Sequence, residues 1–317
     1  MARLKQEVTL EVWTEGVGGE LILDATGLRT DFDIRVIPGF SKAKFVIYNL
    51  SETTVQSLMD GNRYVTLKTR LHDGEQVTLA NRFYLSNATD ELKLPERITS
   101  LFCFDKLKLT LEEPVNVSVR KASLKRMIEA SCKDVGFSGS LNFDTFPSGL
   151  EDEVPLNILP RSLSGTLEKV FKELERDFNF LTFTGDNSFT FMYMPDKENV
   201  GKTSLSDKEP DIVFNTRAMR SNPKIGIANC KIVSNLDSRI KPSVVMDLSQ
   251  LLTVSVDAPQ DTLELIGGYL KNFSDYSKYQ AFAVQHKGSN YTEEWSTIVS
   301  GLSPTKGKLA STVTWAQ

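Results

Sequence analysis

The spacing of apolar residues changes twice along this chain, and that change limits the folds open to it. The first third alternates with the two-residue period of strands. "KFVIYNL" (Lys44–Leu50) is apolar on both faces, as in a strand buried on both sides. Ser51 then suits the start of a short helix, because its hydroxyl can accept a bond from a free N–H of the first turn. Val55, Leu58 and Met59 follow helical spacing, and Gly61 suits the residue after the helix end. "RYVTLKTRL" resumes alternation through Val65, Leu67 and Leu71, and Asp73-Gly74 predicts a hairpin turn. "FDKLKLTLEE" reads as the clearest strand of all. Leu107, Leu109 and Leu111 share one face, while Lys106, Lys108 and Thr110 share the wet one.

The middle third switches to helical spacing. Leu124, Met127, Ile128, Cys132 and Val135 form one stripe, stopped by Gly136. A second helix begins after Ser164, with Leu167, Val170, Phe171, Leu174 and Phe178 on one side. "FNFLTFTGDNSFTFMYMP" then predicts a hairpin about Gly185-Asp186-Asn187. The polar stretch Pro195–Asp211 reads as a linker. Strands return in "IANCKIVSNLDSRIKPSVVMDLSQLL", two of them bent by "NLDSRIKP", while Ser255–Lys278 is poorly periodic. In "AFAVQHKGSNYTEEWSTIV" two strands flank a "KGSN" turn, with Tyr291, Trp295 and Val299 on one face. His286 would bond turn backbone or a facing carboxylate such as Glu293. The expected fold is α+β and predominantly β: two β-barrel-like domains (1–113 and 199–317) flanking an α+β middle domain (114–198).

A length of 317 residues exceeds what one core usually serves, which agrees with several domains. The formal net charge of -4 argues against a protein built to grip nucleic acid. No run is long and apolar enough to span a bilayer, and the first residues lack the apolar stretch of a signal peptide, so a soluble protein made in a cytoplasm is expected, without membrane insertion. Cys103, Cys132 and Cys230 lie far apart and odd in number, which favours reduced, buried thiols.

Motifs that carry chemistry are weak. "ENVGKTS" ends like a phosphate loop, but the glycine required five residues before Gly201 is Asp196. His72 and His286 have no metal-ligand spacing around them. "GFSGS" (Gly136–Ser140) lacks the register of a nucleophile elbow. Glu151, Asp152 and Glu153 could pair as carboxylates, yet a solvated acidic loop is the better reading. The Phe-rich hairpin has no basic neighbours and so reads as core. The expectation is a protein that is not an enzyme, with no catalytic, cofactor or metal residues. The rival readings are a cell-wall hydrolase, using Glu151–Glu153 or His286, and a carbohydrate-binding module for host recognition, using Trp13 or Trp295.

Ordered along the chain, several stretches resemble the baseplate hub proteins of contractile-tailed bacteriophages. "FVIYNLS", its short helix and "RYVTLKTRL" look like that family's first domain. Pro223, Gly226, Ser234, Leu236, Asp237, Ile240 and Pro242 are similar to a recurring stretch of the family, and His286, Gly288, Tyr291, Trp295 and Thr297 to its closing hairpin. "SGTLEKVFKELERDFNFLTF" fits the family's helix-then-hairpin unit. Ser243 and Ser289 depart from the family, which often has Gly and Asp there. The resemblance implies a homotrimer in the virion tail baseplate, assembled in the host cytoplasm. Two β-rich domains per subunit would then adapt a six-fold tail tube to a three-fold central spike and meet other baseplate proteins. DNA would pass through on ejection without specific binding.

Overall fold

The computed structural model describes residues 7–15, 19–70, 75–120, 123–143, 161–194, 209–225, 229–251, 255–256, 277–292 and 295–302. Leu71, His72, the Asp73-Gly74 turn, "ENVGKTS", residues 195–208 of the linker, Glu151–Glu153, Gly226, Glu293 and most of the stretch from Ser255 to Lys278 lie outside them.

In chain order the first elements are β1 (Val8–Thr14), β2 (Leu21–Asp24), β3 (Thr30–Val36), β4 (Lys42–Tyr48), α1 (Glu52–Met59), β5 (Arg63–Arg70), β6 (Gln76–Lys93) and β7 (Glu96–Phe104). The middle holds α2 (Leu107–Leu111), β8 (Pro114–Val119), α3 (Leu124–Asp134), β9 (Ser140–Asn142), β10 (Arg161–Thr166), α4 (Leu167–Phe178), β11 (Phe180–Gly185) and β12 (Ser188–Tyr193). Then follow β13 (Ile212–Val213), a 3₁₀ turn at Thr216–Ala218, β14 (Lys224–Ile225), β15 (Asn229–Asn235), β16 (Val245–Asp247), β17 (Ser255–Val256), β18 (Lys278–Ser289) and β19 (Ser296–Leu302). The chain is predominantly β and α+β, as its periodicity predicts.

One sheet runs through both ends of the sequence. Its order is β17-β14-β15-β19-β18-β3-β4-β7-β6-β5-β1-β2, with β16 beside β18 and β13 beside β16. The early part curls around a core of Leu10, Val12, Ile34, Phe45, Ile47, Val65 and Leu67, but among the described residues β2 does not pair with β3, so the barrel-like unit stays open. The late part curls around Phe214, Ile232, Ile240, Met246, Leu248 and Val299.

These two parts repeat one plan. The order β3-β4-β7-β6-β5 and the order β14-β15-β19-β18-β16 are both all-antiparallel. The connections match as well: the third, fourth, fifth, sixth and seventh strands take the places of the fourteenth, fifteenth, sixteenth, eighteenth and nineteenth.

The middle part has its own core. Leu124, Met127, Ile128 and Cys132 of α3 face Val170, Phe171 and Leu174 of α4, as the helical stripes predict. Ser123 and Thr166 cap these helices by accepting from the N–H of Arg126 and Lys169. The α4 helix ends on Asn179 in the left-handed region (φ 56°). The β11–β12 turn is Asp186-Asn187, both with positive φ (51° and 59°), the twist that suits a two-residue hairpin.

Two expectations fail. "FDKLKLTLEE" is not a strand: pairing stops at Phe104, and Leu107–Leu111 is helix. Leu107 and Leu111 are buried in the middle core, whereas Leu109 is 39% exposed. The i, i+4 pair satisfies helix as well as alternation, and Asp105, accepting from Leu107 N–H at 2.9 Å, starts the turn. "KFVIYNL" is not buried on both sides: Phe45 and Ile47 are fully buried, but Lys44 is exposed and Val46 and Tyr48 are half-buried.

Phe171 sits edge-on to Phe189 (5.3 Å, 85°) and to Phe191 (5.5 Å, 88°), all three at most 2% exposed. Phe171→Ala removes both ring contacts and leaves a cavity. The expected loss is roughly 3–5 kcal/mol, read as a lower midpoint in denaturant unfolding followed by circular dichroism.

Candidate functional site at the seam between the two sheet units

β18 is the element on which both halves of the sheet meet. One of its edges pairs with β19. The other pairs with β16 at Lys278–Gln280 and then, from Val284 to Ser289, with Val36 to Asp31 of β3. The seam therefore consists of main-chain hydrogen bonds between residues some 250 positions apart, of the kind that pair any two strands.

Side chains fasten the seam at both ends. Gln285 Nε2 donates to Asp33 Oδ1 at 2.8 Å. Asn290 accepts from Thr30 N–H at 2.9 Å and donates to the Leu28 carbonyl at 2.6 Å. Trp295, 3% exposed, packs edge-on to Phe32 at 5.4 Å and belongs to the core of the early unit. Its indole N–H is satisfied by the Ser289 carbonyl at 2.6 Å. Gly288 lies under this pair: a Cβ there would sit 2.8 Å from Phe32 Cζ and 3.1 Å from Trp295 Cδ2. Arg29 lies over the rings of Tyr48 (3.9 Å) and Tyr291 (4.7 Å), and its guanidinium pairs with Glu96 at 3.2 Å.

His286 is 5% exposed. Nδ1 lies 2.9 Å from the Thr297 hydroxyl, and the ring also hydrogen-bonds the backbone of Ile240. Thr297 Oγ1 in turn accepts from Asp237 N–H at 2.9 Å. Burial pushes the imidazole down to about 4, against the pull of nearby Asp237 and the Ile240 bond. Burial opposes ionisation of Asp237, but the Arg239 guanidinium and backbone N–H outweigh it and hold that carboxylate below its usual value.

The middle part docks beside the seam. Gly39 N–H donates to the Thr182 carbonyl at 2.8 Å, and Ser41 bonds Thr184 twice, at 3.1 and 2.8 Å. Lys241 reaches Asp186 at 2.7 Å. A cavity of about 290 Å³ lies where the three parts meet, lined among others by Ile34, Phe83, Asp105, Phe183, Ile240 and His286. Burial raises the pKa of Asp105 there, offset in part by its bond to Leu107 N–H.

The residues singled out in the sequence fare unequally. His286, Gly288, Trp295 and Thr297 all come together at the seam. The expected "KGSN" turn does not form: β18 continues through Ser289, and the chain turns after Asn290. Lys287, Gly288 and Ser289 stay extended because each pairs with β3. His286 therefore sits inside a strand and bonds Thr297, which replaces the expected turn-backbone partner. Tyr291 does not share a buried face with Trp295 and Val299; it is 72% exposed. Trp13 is half-buried and donates to Glu11 at 3.3 Å. Gly136, within "GFSGS", ends α3 with φ 71°, a helix-stop role. The three cysteines are buried free thiols, and burial raises the pKa of each. The pairing of β18 with β3 had no local signal in the sequence.

No protein-family model and no curated protein sequence matches the chain. Solved structures do share its fold. The 43 kDa tail protein of prophage MuSo2 from Shewanella oneidensis is similar with a TM-score of 0.52 at 9% identity, over 95% of this chain and 98% of that one. A tail protein from Neisseria meningitidis is similar with a TM-score of 0.53 at 8% identity, over 95% and 99%. The chain thus shares its fold with these two tail proteins along nearly its whole length, in keeping with the resemblance read from the sequence.

Two predictions test the seam. His286 is neutral in the folded chain down to about pH 4, whereas an unfolded histidine titrates near 6.5. Its contribution is complete above pH 6.5 and is lost as pH falls from 6.5 to 4, a change of roughly 3 kcal/mol at about 1.4 kcal/mol per unit. Unfolding free energies measured across that window should fall more steeply for the wild type than for His286→Gln. Gly288→Ala forces a methyl against two rings and should cost roughly 1–3 kcal/mol, with Trp295 fluorescence shifting to the red.

Proposed function

We propose that this chain is a structural hub subunit of a phage tail baseplate, and not an enzyme. The observation that supports this best is the repeated strand plan: one polypeptide carries two equivalent sheet units joined into a single sheet. Three such chains present six similar units, so the same ring can meet a six-fold partner on one side and a three-fold partner on the other. The partners in this reading are the tail tube, the central spike and other baseplate proteins. The chain divides into 1–113, 114–198 and 199–317, with α2 lending Leu107 and Leu111 to the middle core. The fold it shares with tail proteins from two bacteria supports the reading. DNA passes through the ring on ejection, and a chain with a net charge of -4 offers it little counterion-release affinity. The virion tail is its final location, after assembly in the host cytoplasm.

The test is co-expression with tail tube and central spike proteins, followed by native mass spectrometry and electron microscopy. A species of three times the 35.5 kDa protomer mass, bound to both partners, is expected. A chain that stays monomeric with both partners present contradicts the proposal.

A further inference from the structure

The cavity where the three parts meet contains a carboxylate whose hydrogen bonding is half used. Asp105 lies between the end of β7 and the start of α2. Its backbone N–H donates to the Ser41 carbonyl at 2.9 Å, and its Oδ1 accepts from Leu107 N–H at 2.9 Å. The second carboxylate oxygen, Oδ2, takes no hydrogen bond from any described residue. Asp105 is nevertheless only 5% exposed and lines the cavity. Oδ2 is not sealed inside protein, so a donor can reach it from the cavity. A buried carboxylate oxygen without a donor is costly, and a site that supplies one is favoured.

The other titratable groups on the cavity wall leave this charge unanswered. Among the described residues they are His286, Asp186 and Lys241. His286 is neutral above about pH 4, and its ring bonds Thr297 and the Ile240 backbone. Lys241 pairs with Asp186 at 2.7 Å; their side chains are 61% and 60% exposed, so the two charges cancel at the rim. Ser41 and Thr184 bond each other. Lys106 acts on Asp105 electrostatically, but it is exposed and lies off the cavity wall. Burial is the largest cause raising the Asp105 pKa, and Asp186 adds to it; Leu107 N–H and Lys106 oppose it. A cation inside the cavity would reverse the rise, because an opposite charge favours the ionised carboxylate.

The remaining wall is largely apolar. Ile34, Val36 and Phe83 come from the early unit, Phe183 from the middle part, and Ile240 and Val244 from the late unit. About 290 Å³ is at the small end for a ligand site. The chemistry narrows the cation further. A guanidinium prefers both oxygens of a carboxylate, and Oδ1 is already taken by Leu107 N–H. A quaternary ammonium has no N–H to give. A hard divalent cation needs several oxygen ligands, and no group of three metal-binding side chains exists among the described residues. A primary ammonium, a compact charge with rotatable donors, needs only the one free oxygen.

We propose that this cavity binds a primary ammonium group on a short aliphatic stem, with Asp105 Oδ2 accepting from the ammonium and Phe83, Phe183 and Ile240 packing on the stem. Two sources carry that chemistry: a free alkylamine, and the lysine side chain of another protein entering past the Lys241–Asp186 pair. Either one touches all three parts of the chain at once. The inference stands whether or not the chain is a hub subunit.

The experiment titrates the full chain near neutral pH, by isothermal titration calorimetry, with n-butylammonium, with Nα-acetyl-lysine amide, and with 1-butanol as the neutral counterpart of the first. Saturable one-to-one binding of n-butylammonium, at least about tenfold tighter than that of 1-butanol, is expected. Asp105→Asn keeps an oxygen for Leu107 N–H but loses the charge, and it should bring amine and alcohol to within about twofold of each other with an unchanged circular dichroism spectrum. Nα-acetyl-lysine amide binding with the same dependence on Asp105 identifies a lysine side chain as the source; binding of the free amine alone identifies a small molecule. Absence of saturable binding by either amine, an alcohol that binds as tightly as the amine, or undiminished amine binding in Asp105→Asn overturns the proposal. Should Asp105→Asn fail to fold, the comparison of amine with alcohol on the wild-type chain decides.

Discussion

The pairing of β18 with β3 is the constraint on which the rest of the molecule depends. Without it the chain has two curled sheets, each with a bare edge, bridged only by side-chain contacts and the β11–β12 hairpin. With it, six consecutive residues of the late unit complete the early unit, and a tryptophan from position 295 finishes a core that begins at Val8. Main-chain bonds set the distance between the units. Gly288 then allows the strands to close under Phe32 and Trp295, where any larger residue would hold them apart.

The middle part is attached by a different kind of contact. Lys241 with Asp186 is solvent-exposed, and such ion pairs contribute little. Buried bonds between Ser41 and Thr184, and the packing of Phe183, Met192 and Phe282, hold the β11–β12 hairpin more firmly. The hairpin thus touches both sheet units at once, since Ser41 precedes β4 and Phe282 lies in β18. Its position fixes their relation a second time, from the side.

What the sequence reveals follows from the range of each interaction. The stripes of α3 and α4 and the β11–β12 turn are local, and they were legible residue by residue. The α2 segment was not, because Leu107 and Leu111 lie on one side in either conformation, and the spacing alone does not separate helix from strand. The turn after β18 was misplaced because Gly-Ser-Asn normally bends, while here β3 holds Gly288 and Ser289 extended from far away in sequence. The repeat within the chain escaped notice for a related reason. Strand order and pairing are preserved, but Thr99 of β7 bonds Asp90 of β6, whereas Thr297 of β19 meets His286 of β18, and Asp90 and His286 share no chemistry that a reader of letters would match. The resemblance that linked His286, Gly288, Trp295 and Thr297 did mark the right place, as residues of a seam.

β3 is made early and its partner β18 very late, with Asp33 and Gln285 separated by 252 positions. On a ribosome the early unit therefore emerges with one flank bare until some 250 further residues have been made. Asp31, Asp33 and Arg35 along that flank keep it hydrated and discourage neighbouring nascent chains from zipping onto it. β18 is thus the stretch that closes the protomer, and a product terminated before it leaves the β3 edge without its partner strand.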